Sequence, residues 1–132
     1  MDATVRTLVR ERAGDRCEYC QLKQEHLPFS TFHVEHIIAR QHGGDDDPSN
    51  LALACNRCNA HKGPNLSGID PETGEMVPLY HPREHIWEDH FWESEAIITG
   101  LTSIGRATVR VLNINEERQV RLRTLLKQSG EL

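Results

Sequence analysis

Apolar positions in this chain change period several times, and each change marks an element. Val5, Leu8, Val9 and Ala13 recur at helical spacing with Arg6, Arg10 and Glu11 between them, so residues 2–13 predict an amphipathic helix. Asp2 is placed to cap its start and Gly14 to stop it. Residues 15–20 read as a turn and 21–31, which include Pro28, as a loop. Phe32, Val34, Ile37 and Ile38 predict a short strand over 32–39. Gly43-Gly44, three aspartates, Pro48 and Ser49 predict a loop, followed by a second strand at Leu51–Ala54. Residues 59–62 predict one or two helical turns ended by Gly63-Pro64.

Beyond Pro64 the signals are weaker. Residues 70–74 predict a turn and 76–80 an extended stretch. Residues 91–93 and 96–99 predict a hairpin around Ser94-Glu95. Helices are expected at about 102–112 and 115–127, with Val120, Leu122, Leu125 and Leu126 as an apolar side of the second. That side offers a surface for a homodimer. Trp87, Phe91 and Trp92 are expected to pack around the hairpin.

Composition narrows the class. A length of 132 residues fits one domain, 1–132, and 37% apolar with 5% aromatic residues gives a modest core. No apolar run reaches the roughly 18 residues of a membrane span, and no basic flank precedes an apolar start. A cytoplasmic protein without membrane contact is expected. The formal charge of −5 argues against tight non-specific nucleic-acid binding, which is driven by phosphate neutralisation. The acids are uneven, though, with Asp45, Asp46 and Asp47 together and many others in 84–95 and 115–118. Arg40, Arg57 and Lys62 fall in the histidine- and cysteine-bearing stretch and leave room for a local basic cleft.

The four cysteines form two matched pairs, Cys17-x2-Cys20 and Cys55-x2-Cys58. That spacing puts two thiolates on one tight turn, and four sulfurs complete a closed tetrahedral Zn2+ shell with no open position. Without an export signal, a metal site is favoured over disulfides. The zinc is therefore expected to build a scaffold, with any chemistry lying between the pairs.

Between them stand His33-Val34-Glu35-His36-Ile37-Ile38, Gly43-Gly44 and Asn50-Leu51, and after the last cysteine Asn59-Ala60-His61-Lys62. In this order, over roughly residues 16–64, the chain resembles the HNH endonuclease family, in its four-cysteine zinc subgroup. The resemblance implies a small α+β fold: a zinc-stabilised ββα-metal, treble-clef-like core at about 15–64. An N-terminal helix would precede it, and an accessory β-hairpin and C-terminal helices would occupy about 65–132.

The resemblance also implies an activity, DNA phosphodiester hydrolysis with Mg2+ or Mn2+, leaving 5′-phosphate and 3′-hydroxyl ends. His36 matches the general base, a role suited to an imidazole whose pKa lies near neutrality. Asn50 matches the family's central Asn, expected to orient that imidazole. Glu35 matches the acidic ligand of the divalent ion, and oxygen ligation suits Mg2+ or Mn2+. Neighbours on a regular strand face opposite sides, so the strand must end or bulge for Glu35 and His36 to meet one phosphate. The family's third histidine is replaced by Asn59; His61, two residues on, is the other candidate ligand. The two differ by roughly 200° around a helix, so they do not both face one ion. His33, on Glu35's side of the strand, is a reserve ligand. Arg40, Arg57 and Lys62 are candidate phosphate contacts. The alternative is a zinc-stabilised binding module for nucleic acid or protein, with little or no catalysis.

Overall fold

In a computed structural model describing residues 1–132, the Asp2 carboxylate accepts the Val5 N–H at 2.9 Å and opens helix α1, Ala3–Ala13. The helix stops at Gly14, whose left-handed φ of 65° lets its N–H return to Arg10 and Glu11. Its apolar stripe is narrower than expected. Val9 is fully buried, but Leu8 stays exposed, because α1 covers only one side of a two-stranded hairpin. Its outward arginines do part of the docking. Arg10 donates to the Phe32 carbonyl and Arg12 to the Leu51 carbonyl, each at 2.8 Å.

That hairpin pairs β1, His33–His36, with β2, Leu51–Ala54, antiparallel, with His33 opposite Ala54 and His36 opposite Leu51. β1 is shorter than the 32–39 read from its apolar residues. Past His36 the backbone turns out of the ladder, and the Asn50 side chain replaces strand partners by bonding both the N–H and the carbonyl of Ile38. β2 is buried along its whole length, consistent with its unbroken apolar run. Its second edge is capped by Glu18, whose N–H donates to the Leu53 carbonyl and whose carboxylate accepts the Leu53 N–H at 2.7 Å.

Helix α2 runs Asn56–Lys62, three residues earlier than expected. Its N-cap is Cys55, whose sulfur accepts the Cys58 N–H at 3.4 Å. The strand–loop–strand–helix order follows the reading from sequence.

Beyond α2, β3 (Ser67–Ile69) pairs with β4 (Met76–Pro78) across the Asp70 turn. A four-residue helix, α3 (Trp87–His90), leads into the hairpin of β5 (Phe91–Ser94) and β6 (Ile97–Gly100). Helices α4 (Ser103–Val111) and α5 (Glu117–Gln128) follow. β3 and α3 were not anticipated. α4 lies on the hairpin with backbone against backbone: a Cβ on Gly105 would stand 2.1 Å from the His90 carbonyl oxygen. Leu126 and Leu122 of α5 face the protein's own core, leaving Leu125 exposed on the side considered for a dimer. Phe91 is buried as expected, whereas Trp92 is exposed. No helix is long and apolar enough to cross a membrane.

The buried apolar cluster includes all four cysteines along with Val9, Tyr19, Phe32 and Leu53. Residues beyond 65 are tied to the first cysteine turn. The Trp87 indole donates to the Tyr19 carbonyl at 2.8 Å, and Arg83 ion-pairs with Glu18.

Candidate active site and metal centre

The two cysteine turns bring four sulfurs within 4.8 Å of one another, all buried. Cys20 Sγ and Cys55 Sγ stand 3.8 Å apart, far beyond a disulfide bond. Sulfurs placed 2.3 Å from one tetrahedral ion are about 3.8 Å apart, so the spacing fits Zn2+. Each turn also points an amide at a sulfur: the Cys20 N–H to Cys17 at 3.5 Å and the Cys58 N–H to Cys55 at 3.4 Å. Burial pushes the Cys17 thiol well up, because a thiolate there lacks water. A divalent cation removes that penalty, and the chemistry of the donor set matches a structural zinc site with no open position.

Glu35 and His36 leave β1 on opposite faces, as alternation in an unbroken register requires. Glu35 points inward and is only 7% exposed. One of its oxygens accepts the Tyr19 hydroxyl, and the other accepts Lys62 Nζ at 3.0 Å. Burial raises the Glu35 carboxyl above the usual range, while Lys62 and the Tyr19 hydroxyl pull it back. Both oxygens are committed inside the protein. The four cysteines are also the group of His, Cys, Asp or Glu side chains close enough to share an ion, and Glu35 and His61 form no such group. The residues around Glu35 therefore do not fit the Mg2+ or Mn2+ expected there.

His36 points to the other side, where Nε2 meets Asp46 Oδ1 at 2.7 Å. Its side chain is 21% exposed, so the imidazole reaches solvent. Asp46 also accepts Arg40 Nη2 at 2.6 Å. The bond to His36, with Arg40 nearby, holds the Asp46 carboxyl below its ordinary range, so it stays an anion near neutral pH. An anion on Nε2 favours the tautomer protonated there and leaves Nδ1 as the acceptor.

Asn50 does not touch the imidazole. Its Oδ1 accepts the Ile38 N–H at 2.9 Å, and its Nδ2 donates to the carbonyls of Ile38 and Asp45 at 3.0 and 2.9 Å. It closes the loop that carries Asp46, so its influence on His36 runs through Asp46. The expected partner of the imidazole is corrected from an amide to a carboxylate. Gly44 belongs to the same closure, because a Cβ there would stand 1.7 Å from the Ile38 carbonyl oxygen and 2.8 Å from Asn50 Nδ2.

The other candidates disperse. Lys62 is 2% exposed, so it is not a surface phosphate contact. Arg57 lies 3.3 Å from His61 Nε2 and 3.8 Å from Glu116, the residue that caps the start of α5. His61 is exposed and Asn59 half-buried one turn from the cysteine cap. His33 pairs with Asn56 at 3.1 Å and makes no approach to Glu35. Arg40 alone among the basic candidates stands beside His36's partner, with its side chain 64% exposed.

Three participants escaped the reading from sequence. Asp46 was read only as one of three aspartates in the loop, with no role of its own. Tyr19, between two cysteines, carried no signal beyond its position on the turn. The Glu35–Lys62 pair spans 27 positions, and only the fold brings it together.

Residues 17–65 match the family model described as HNH endonuclease, from the first cysteine to just past α2. This segment is thus similar to an HNH endonuclease domain, and within a small α+β fold its four cysteines form a cluster that fits a structural zinc ion. No curated protein and no solved structure matches the chain.

Proposed function

We propose that this protein is an endonuclease that hydrolyses DNA phosphodiester bonds, with His36 as general base. The observation that carries the reading is the solvent-reaching imidazole of His36 held by Asp46 at the end of β1, within a segment that matches the HNH family. Asp46 fixes the tautomer, so Nδ1 takes a proton from water as the water oxygen attacks phosphorus. The bond from phosphorus to the 3′ oxygen breaks, leaving a 5′-phosphate, and the departing oxygen takes a proton from solvent. Arg40 is placed to meet a phosphate oxygen beside the base. Since Glu35 offers no free oxygen, no step is assigned to a divalent ion there.

A plasmid-nicking assay on zinc-loaded protein, with and without added Mg2+ or Mn2+, tests this. His36→Ala is expected to lower the rate about 10²–10⁴-fold with zinc content and melting unchanged. Asp46→Asn is expected to lose part of that rate. Equal nicking by wild type and His36→Ala would remove the base from the scheme.

The buried Glu35–Lys62 pair favours a second reading, a nucleic-acid-binding module without catalysis. Retarded migration of DNA with no cleavage under either ion would establish it.

A further inference from the structure

We infer that Lys62 is the resident cation of the Glu35 pocket, so that Glu35 binds no divalent metal in this protein. The inference does not depend on whether the protein cleaves nucleic acid. Lys62 Nζ lies 3.0 Å from Glu35 Oε2, 2.9 Å from the Ile37 carbonyl oxygen and 3.3 Å from the His36 carbonyl oxygen. Three hard oxygens meet the three N–H donors of one ammonium, and none is left over. This is the donor set a small hard cation seeks, and an internal cation has taken it.

Charge and space agree. Glu35 and Lys62 neutralise each other, and the second carboxylate oxygen is closed by the Tyr19 hydroxyl. Mg2+ and Mn2+ keep several waters when bound by one carboxylate, whereas Glu35 is 7% exposed and both its oxygens are engaged by protein donors. Lys62 enters from the last turn of α2, whose start is anchored by Cys55 and Cys58. A cavity of about 290 Å³ lined by Ile37, Lys62, Leu79 and His81 opens beside the Lys62 side chain, which gives an ion a route toward Glu35 once the ammonium is gone.

Mn2+ binding, followed by electron paramagnetic resonance on zinc-loaded protein, tests the inference without reference to activity. Wild type and Glu35→Gln are expected to bind Mn2+ to the same stoichiometry. Lys62→Met keeps the apolar stem and deletes the charge; it is expected to gain one Mn2+ per chain, and that gain should vanish in the Lys62→Met, Glu35→Gln double variant. A wild-type Mn2+ site abolished by Glu35→Gln would overturn the inference. So would a folded, zinc-loaded Lys62→Met protein that gains no site. If Lys62→Met does not fold, the comparison of wild type with Glu35→Gln decides alone.

Discussion

Lys62 and Asp70 show how much a single charge depends on what encloses it. Breaking a buried ion pair by removing one partner leaves the other charge without water or counterion. Lys62→Met or Glu35→Gln alone is therefore expected to cost about 3 kcal/mol, and the double variant less than the sum of the two. Urea midpoints of the four proteins measure this coupling. Asp70 has no exposed surface and is gripped by Arg106 at 2.8 and 2.9 Å, which holds its carboxyl well below the usual range. In the unfolded chain it titrates near about 3.9. Its stabilising contribution is thus complete above that pH and is lost as pH falls toward the lowered folded value. Wild type should lead Asp70→Asn at pH 5, with the gap closing between about pH 4 and 2. Parallel denaturation curves for the two proteins across that range would contradict the assignment.

At the scale of elements, the loop between β1 and β2 is held shut by Asn50 and by the close approach of Gly44. Gly44→Ala forces a methyl into the Ile38 carbonyl, and a loss of about 1–3 kcal/mol or more is expected from such overpacking. Because this loop carries Asp46, the variant should also lose nicking activity beyond what its melting shift explains. Elements with a strong local signal were legible in the sequence. β2 follows from Leu51-Ala52-Leu53-Ala54, α1 from Asp2 and Gly14, and the zinc core from two cysteine pairs. What was hidden depended on distant partners. β1 was read too long because Ile37 and Ile38 look like strand residues, yet the Asn50 side chain ends the ladder. β3 is three residues that include a glycine and becomes a strand only against β4. The partner of His36 was misjudged because nothing local separates Asp46 from Asp45 and Asp47.

Across the whole molecule, the sulfur cluster lies within the main apolar core, and both α1 and the segment beyond residue 65 are attached around it. Binding free energy of a structural zinc is folding free energy. Chelation, or Cys55→Ser, is therefore expected to unfold the protein in one transition, whereas His36→Ala leaves zinc content and melting temperature unchanged. Circular dichroism with zinc analysis on each protein checks this, and retained helix content after complete zinc removal would contradict it.

The indole of Trp87 bonds to the Tyr19 carbonyl, on the turn between the first two cysteines, while Trp92, the other tryptophan, is open to solvent. The emission spectrum should accordingly contain one wet, constant component and one half-buried component whose wavelength follows metal occupancy. Replacing Trp92 by Phe would leave Trp87 as a built-in optical gauge of the ion.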